Sequence, residues 1–328
     1  MAEVQDKAEA LDKNMEMKDF GRVGVLMGGP SSEREISFKS GKAVLSALKE
    51  SGIDAMAVDI ATDDKDDNLR LLGACNLDCA FIALHGRFGE DGAIQEILEE
   101  MDLPYTGSGV KASRLAMDKV GALKAFKDGG LYVPASLTMY KGSYTEGSSF
   151  SYTLEFPVVV KPANHGSSIG LSIVDDKKHL PEAVELAFQF DERIIIEQYI
   201  AGRELTVGVL DEKPLPVIEI VPKHKFFDFE AKYQAGLTDY IVPARLEPET
   251  ARTVQRAALE AHKLLGCFGC SRTDIILDRQ GLPFVLEINT VPGMTATSLL
   301  PKAARVAGMD FNALCLKLLE LAYEKTKV

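Results

Sequence analysis

The chain has 328 residues, of which 46% are apolar and 26% charged, the balance of a soluble globular protein of two or three domains. Acidic residues outnumber basic ones 49 to 37, for a formal net charge of -12. That charge disfavours nucleic acid and anionic membranes as partners, so phosphate binding would need a local cluster of lysines or backbone amides. No apolar stretch reaches membrane-spanning length, and residues 1–20 are predicted to be a polar tail, not a signal peptide.

The five cysteines are too few, and odd in number, for a disulfide framework. They indicate a reducing, cytoplasmic compartment. Cys267 and Cys270 form a CxxC pair, but the second pair of a structural zinc site is missing. We expect the pair to pack in the core, with a redox or metal function as the alternative.

The N-terminal third alternates short apolar strands with helices. Strands are predicted at 22–27, about 54–60 and 79–84. A helical pattern follows the first strand, and another covers 92–101. This alternation predicts a parallel sheet with helices on its faces, in which ligands bind beyond the carboxyl ends of the strands. Glu33 and His85 follow two of those ends, although Glu33 would also suit a helix cap and His85 a locally bonded turn.

The rest of the chain predicts a different arrangement. A lysine-rich helix is predicted at 111–129 and a polar linker at 141–151. Short strands bounded by Gly, Pro and Asp predict an antiparallel sheet, at 157–161, 169–174, 193–198, 204–210 and 215–220. Residues 222–240 lack periodicity and are long enough for a functional lid. The remaining predictions are an amphipathic helix at 249–265, a hairpin at 273–288 and helices at 301–325.

The hairpin carries the strongest local signal for chemistry. If its turn lies between Gln280 and Gly281, Asp274 falls opposite Glu287, and Asn289 shares a face with Glu287. These three oxygen donors suit Mg²⁺, which completes its shell with water and substrate phosphate. A solvated hairpin face is the alternative, but it explains poorly why polar groups interrupt apolar strands there. Arg272 should face the same site and could stabilise developing negative charge.

A magnesium site suggests a nucleotide, yet the chain has no GxxxxGK[ST] loop. The glycine- and serine-rich segment 164–170, after the strand that ends near Lys161, is a candidate phosphate loop. Lys119 and Lys232 are further candidate cations. Glu197 and Glu204 flank a short loop that would offer backbone groups to adenine and a carboxylate to ribose, although a plain hairpin explains them as well.

Eight segments, in this order, resemble the ATP-grasp family and, within it, the D-alanine–D-alanine ligases. They are GGPSSEREISFKSG (28–41), ALHGRFGEDG (83–92), MDK (117–119), VVKPANHGSSIG (159–170), EQYIAGRELTVGVL (197–210), FFDFEAKY (226–233), SRTDIILD (271–278) and LEINTVPGMTATSLLP (286–301). The resemblance covers residues 22 to about 325. It implies an α/β fold with an α+β ATP-grasp part: a tail at 1–20, an N-terminal substrate domain at 21–107, and two ATP-grasp lobes at 108–200 and 201–328.

The resemblance also implies the roles of individual residues. The implied catalytic residues are Glu33, Ser167, Tyr233, Arg272 and Gly293. The implied substrate contacts add His85, Ser298 and Leu299 near the second D-alanine. The implied ATP contacts are Lys119, Lys161, Ser167, Ser168, Glu197, Gln198, Ile200, Glu204 and Lys232. The implied ligands of two Mg²⁺ or Mn²⁺ ions are Asp274, Glu287 and Asn289.

The implied reaction joins two D-alanine molecules through a D-alanyl phosphate, in the cytoplasm, for peptidoglycan synthesis and in a homodimer formed through the N-terminal domain. Tyr233 favours an amine as the second substrate. Other ATP-grasp ligases, such as glutathione synthetase, lack the segments SSERE, HGRFGEDG and EAKY. A nucleotide-binding protein without catalysis is the remaining alternative, but it would be expected to have lost part of the metal triad or Arg272.

Overall fold

The computed structural model describes residues 19–143, 154–166, 169–223 and 238–325. Its strands are β1 Val23–Gly28, β2 Ala55–Ile60, β3 Cys79–Ile82, β4 Ser136–Tyr140, β5 Val158–Pro162, β6 Ser172–Val174, β7 Arg193–Gln198, β8 Gly202–Leu210, β9 Lys213–Pro214, β10 Ile218–Pro222, β11 Thr238–Ile241, β12 Cys270–Asp278 and β13 Pro283–Asn289. Its α-helices are α1 Arg34–Glu50, α2 Lys65–Cys75, α3 Ala93–Glu100, α4 Val110–Met117, α5 Lys119–Asp128, α6 Leu180–Phe188, α7 Pro248–Leu264, α8 Leu299–Val306 and α9 Phe311–Lys325.

The N-terminal sheet is parallel, with strand order β2-β1-β3, which confirms the predicted sheet type. Every residue of β1 is buried, as expected for the central strand of a sheet covered on both faces. The sequence pattern does not predict α2, whose first turn is acidic. Its N-cap is Asp64, whose side chain accepts a hydrogen bond from the Asp67 amide.

The second sheet is antiparallel, with order β4-β7-β5-β6, and α6 packs on it. The single helix predicted at 111–129 is wrong, because the chain forms α4 and α5 with a break at Asp118. Asp118 has extended backbone angles, and its side chain caps α5 by accepting from the Val120 amide. Arg193 on β7 contacts the same carboxylate at 2.6 Å. The Asp118 side chain therefore connects the start of α5 to the second sheet.

The third sheet has the order β11-β10-β8-β12-β13, with β9 added to β8. Its β12–β13 pairing sets Asp274 opposite Glu287 and Arg272 opposite Asn289, so the predicted pairing of Asp274 with Glu287 is confirmed. The predicted turn centre is wrong, because the register shifts between Asp274 and Ile275 and centres the turn on Gln280. α7 covers one face of this sheet through a buried cluster that includes Val254. The last predicted helical region is two helices, α8 and α9, separated by a turn in which Gly308 has a positive φ.

The C-terminal helices α8 and α9 return to the N-terminal sheet. One buried cluster joins residues of β1 and α1 to residues of both helices, including Leu300 and Leu318. This packing brings the turn between β13 and α8 against α1. The predicted boundaries of the domains remain predictions. Within the described ranges, no helix combines the length and apolar character that a membrane span needs.

Candidate active site

A cavity of about 380 Å³ lies where α1 and α4 meet the ends of β12 and β13 and the turn that follows β13. It is lined by most of the described residues that the sequence predicts for substrate and metal binding. These are Glu33, His85, Arg272, Glu287, Asn289, Gly293, Ser298 and Leu299, and Lys119, predicted for ATP, lines the cavity too. The predicted metal ligand Asp274 is not among the lining residues. The fold therefore brings together side chains that are up to 266 positions apart in the sequence.

Glu33 lies at the start of α1, in close contact with the loop that follows β3. It occupies the N-cap position, but its side chain makes no capping hydrogen bond, so the helix-cap alternative does not account for it. Gly86 has φ near +75°, and a Cβ added there would lie 2.7 Å from Glu33 Oε2. Glycine is thus needed at position 86 both for its backbone angle and for the close approach of the carboxylate.

His85 is buried beside Glu90, which is not among the predicted site residues. The distance from His85 Nδ1 to Glu90 Oε1 is 3.5 Å. Burial raises the pKa of the Glu90 carboxyl, with repulsion from Glu33 as a smaller cause, while the contact with His85 opposes the rise. Glu90 lies five residues after His85 in the segment that resembles the ligase family, but its residue type alone gives no signal of this contact.

The hairpin places Arg272 and Asp274 in a bidentate pair, at 3.0 Å (Nε to Oδ1) and 2.9 Å (Nη2 to Oδ2). Thr206 also donates to Asp274 Oδ1 at 2.6 Å. Such a fork fixes the guanidinium plane, and Arg272 lines the cavity in this orientation. Asp274 is therefore both a candidate metal ligand and the residue that orients Arg272.

The predicted metal ligands are set on two neighbouring strands. Glu287 Oε2 lies 3.4 Å from Lys119 Nζ, and Asn289 Oδ1 accepts from the Val291 amide at 2.8 Å. Two carboxylates opposite each other and one amide oxygen form a hard donor set that fits Mg²⁺ or Mn²⁺. In the described ranges, no three His, Cys, Asp or Glu side chains are grouped to hold a metal ion. The predicted metal ligands include only two residues of those types, because the third ligand is an asparagine.

Two of the predicted phosphate lysines are described, and both are buried. Lys119 Nζ donates to the His165 carbonyl at 2.6 Å, which ties α5 to the candidate phosphate loop. Lys161 Nζ donates to Glu197 Oε1 at 2.7 Å, and these side chains are only 8% and 5% exposed. The other oxygen, Glu197 Oε2, is buried without a hydrogen-bond partner in the described part of the chain.

The other predicted nucleotide contacts fall into two groups. Gln198, Ile200 and Glu204 lie on or between β7 and β8, outside the cavity lining, and Gln198 is exposed. Ser167, Ser168, Lys232, Tyr233 and residues 224–237 of the predicted lid lie outside the described residues. Gly166, which precedes Ser167, lines the cavity, and a Cβ added to it would lie 3.9 Å from Glu33 Oε2.

The turn after β13 forms the far side of the cavity. Ser298 Oγ accepts from the Thr295 amide at 3.1 Å and lies 2.8 Å from Thr295 Oγ1. A Cβ added to Gly293 would lie 3.0 Å from Ser298 Oγ, so the turn is closely packed at that glycine. Arg272 and Gly293 line one cavity and could both act on a charge that develops inside it.

Known proteins resemble this chain in sequence and in fold along most of the length of the chain. The family model described as D-ala D-ala ligase C-terminus matches residues 126–320, and the one described as D-ala D-ala ligase N-terminus matches residues 65–108. A D-alanine–D-alanine ligase of Geotalea uraniireducens is 48% identical over 301 residues, covering 92% of this chain and 95% of the relative. The chain belongs to the D-alanine–D-alanine ligase family. Another ligase of this name, from Halalkalibacterium halodurans, is 42% identical, covering 93% of this chain and 100% of the relative.

The fold of the ligase family is confirmed by a solved structure. The D-alanine–D-alanine ligase of Bacillus anthracis complexed with ATP matches with a TM-score of 0.82 and 34% identity. The match covers 93% of this chain and 98% of that one. This membership decides against the glutathione synthetase alternative and against a protein without catalysis. The roles of individual residues in this ligase stay predictions.

The CxxC pair of this ligase packs in the protein interior. All five cysteines are free; Cys270 is buried and Cys267 half-buried. Burial raises the pKa of both thiols to about 12, so they stay protonated near neutral pH. A protonated thiol is a poor nucleophile and a poor metal ligand, which favours the core-packing interpretation.

Proposed function

We propose that this chain joins two D-alanine molecules to D-alanyl-D-alanine, with ATP converted to ADP and phosphate through a D-alanyl phosphate intermediate. The observation that carries the proposal is the single cavity lined by Glu33, Arg272, Gly293 and Glu287, with Asp274 opposite Glu287 on the neighbouring strand. Such a cavity offers an ammonium site, an oxyanion site and a place for phosphate side by side. Membership of the ligase family supports this combination.

In the first step, the carboxylate of one D-alanine attacks the γ-phosphate of ATP. Glu33 holds the ammonium of that D-alanine, and Ser167 and Tyr233 support it. Lys119, Lys161 and Lys232 neutralise charge on the phosphates, which is the main contribution a protein makes to phosphoryl transfer. Ser168 contributes to the same phosphate loop.

The residues Asp274, Glu287 and Asn289 would hold two Mg²⁺ or Mn²⁺ ions beside the phosphates. Bound there, these ions would neutralise phosphate charge and orient the γ-phosphate for attack. Adenine contacts the segment at Glu197, Gln198 and Ile200, and Glu204 contacts the ribose. The buried acceptor Glu197 Oε2 is a suitable partner for a donor on the base.

In the second step, the amine of the other D-alanine attacks the acyl carbon, loses a proton and displaces phosphate. The guanidinium of Arg272 and the amide of Gly293 stabilise the tetrahedral oxyanion. His85, Ser298 and Leu299 bind this second substrate, whose carboxylate meets the turn after β13. The segment 222–240 closes over the site and excludes water that would hydrolyse the acyl phosphate.

The cellular role follows from the product and from the nucleotide. We place the enzyme in the cytoplasm, where ATP is available, as a homodimer formed through its N-terminal domain. Its dipeptide serves peptidoglycan synthesis, and therefore cell-wall biogenesis and cell shape. Neither nucleic acid nor membrane is a partner in this proposal.

The test is phosphate release from ATP and Mg²⁺ with single amino acids, followed by mass analysis of the product. We expect turnover with D-alanine that yields D-alanyl-D-alanine, and none with L-alanine. Turnover with a different acid or amine would move the substrate assignment but keep the chemistry. ATP binding without turnover for any amino acid would refute the proposal.

A further inference from the structure

One serine hydroxyl connects three parts of the site that are distant in sequence. Ser40, in the middle of α1, is 1% exposed and lines the cavity. Its Oγ lies 2.8 Å from His85 Nε2 and 3.2 Å from the amide nitrogen of Met294. Met294 follows Gly293, whose amide belongs to the proposed oxyanion site. Ser40 therefore contacts both sides of the pocket proposed for the second substrate.

The contact with Met294 has a fixed hydrogen-bond direction, and it favours one direction for the contact with His85. The Met294 amide is a donor, so Ser40 Oγ accepts from it. Ser40 then has one proton to donate, and His85 Nε2 is the acceptor that the described residues place within reach. A buried hydroxyl proton without an acceptor is costly, so we assign Nε2 as unprotonated. The ring proton of neutral His85 then lies on Nδ1, which faces Glu90.

The same hydroxyl restricts the backbone next to the oxyanion site. Glycine has more backbone freedom than other residues, and a hydrogen bond at the following amide limits the rotation available to Gly293. Ser40 lies on α1, which packs on the N-terminal sheet, and Met294 lies in the turn after β13. The bond between them joins residues 254 positions apart in the sequence. The oxyanion donor and the substrate-binding histidine are thereby held by one atom.

We propose that Ser40 is a positioning residue that sets the His85 tautomer and the Gly293 turn together for the second half-reaction. The proposal rests on the proposed function for its kinetic consequences, but the tautomer is a property of the protein alone. Ser40 does not contact the first substrate's ammonium site at Glu33 in any hydrogen bond that the structure shows. Formation of the acyl phosphate should therefore depend on it much less than transfer to the second D-alanine.

Ser37 provides a matched control one turn earlier on the same helix. It is fully buried, its Oγ donates to the Ala83 carbonyl at 2.7 Å, and it accepts from the Gly28 amide at 2.9 Å. Ser37→Ala thus removes the same group, with the same kind of two hydrogen bonds, from the same helix. Its partners are backbone atoms of the sheet, and none belongs to the second-substrate pocket.

The kinetic test compares Ser40→Ala with Ser37→Ala in both half-reactions. Dipeptide formation is measured against D-alanine concentration, which separates the two KM values. The first half-reaction is followed by movement of an oxygen-18 label from the bridging to a non-bridging position of the β-phosphate of ATP, with D-alanine filling only the first site. For Ser40→Ala we expect the rate of dipeptide formation at low second-site occupancy to fall about tenfold, because both buried hydrogen bonds of the hydroxyl are lost. Label movement should change less than about twofold.

Ser37→Ala should lower the Tm about as much as Ser40→Ala does. It should change the rate of neither half-reaction by more than about twofold. Ser40→Cys, which keeps a weak donor of similar size, should recover part of the lost rate. Equal losses in both half-reactions, or equal losses in the two alanine variants, would overturn the positioning role.

The tautomer is measured by nitrogen-15 NMR of histidine-labelled protein, with the His85 signals assigned by their absence in His85→Gln. We expect an unprotonated Nε2 in the wild type, and a mixture of tautomers in Ser40→Ala. A protonated Nε2 in the wild type would refute the assigned hydrogen-bond direction whether or not the alanine variant folds. If the wild type makes no dipeptide, the proposed function fails, while this measurement still decides the role of Ser40 in fixing the ring.

Discussion

The pair formed by Lys161 and Glu197 offers a prediction about how the nucleotide site is held before nucleotide binds. The Nζ and Oε1 atoms are 2.7 Å apart, and both side chains are more than nine-tenths buried. Replacing Lys161 by Met keeps the length and apolar character of the side-chain stem. The change leaves the Glu197 carboxylate buried, and its second oxygen already lacks a partner in the described residues.

The magnitude follows from the cost of a buried charge that has lost its partner. Breaking such a pair typically costs about 3–5 kcal/mol, whereas replacing both partners by apolar residues is often nearly neutral. We therefore expect Lys161→Met to lower the free energy of unfolding by about 3–5 kcal/mol. The double variant with Glu197→Leu should recover most of that loss, although both variants should bind ATP poorly.

The assay is urea unfolding of the nucleotide-free protein, followed by circular dichroism. Lys124→Met is the matched control, because Lys124 pairs with Asp128 on α5 while both side chains are more than 60% exposed. An exposed pair contributes at most about 1 kcal/mol, so this variant should be nearly as stable as the wild type. A loss below about 1 kcal/mol for Lys161→Met, or a double variant no more stable than the single one, would show that the pair is not a desolvated ion pair.

Three further changes test other parts of the site. Arg272→Lys keeps the charge but removes the planar fork, so kcat for dipeptide formation should fall on the order of a hundredfold; an unchanged kcat would contradict its oxyanion role. Gly86→Ala would force a Cβ to within 2.7 Å of Glu33 Oε2 at a positive φ, so the KM for the first D-alanine should rise while that for the second changes little. Burial lowers the pKa of His262 to about 4 from 6.5, so the stability contributed by its neutral form is complete above 6.5 and is lost as pH falls towards 4. Between about pH 7.5 and 5 the free energy of unfolding should therefore fall by roughly 2 kcal/mol because of this group. Urea unfolding of His262→Gln should show a smaller fall over the same pH range. An equal fall in the two proteins would exclude His262 as the cause of the acid destabilisation.

Sequence periodicity was sufficient for the strongly apolar elements and failed where a single polar side chain sets a boundary. The fully buried β1 could be predicted from its apolar run, and the pairing of Asp274 with Glu287 from the hairpin pattern. The register shift between Asp274 and Ile275 could not. The break between α4 and α5 could not, because lysines and apolar residues continue the helical pattern through Asp118. Asp118 caps α5 locally, but its contact with Arg193 depends on a residue 75 positions away.

The same limit applies to the site. Asp274 and Glu287 could be paired from the hairpin pattern, since their contact is local. Lys119 beside Glu287 depends on the packing of α5 against the third sheet, which no local pattern encodes. The resemblance to a family supplied that residue where periodicity could not. Ser40 shows the remaining gap, because a buried serine in a helix has no sequence signature and its function lies in its two distant partners.

The three described cations among the predicted site residues share one property: each is held by a carboxylate that is itself a predicted ligand-binding group. The pairs are Lys119 with Glu287, Lys161 with Glu197, and Arg272 with Asp274. Before ligands bind, this pairing keeps buried charges neutralised, which an isolated cluster of cations or carboxylates would not. When phosphates bind the lysines, the carboxylates that had paired with those lysines become available to a divalent ion. When a divalent ion binds the carboxylates, the lysines become available to the phosphates. Each ligand therefore removes part of the cost of binding the other, so nucleotide and metal should bind this site more tightly together than either does alone.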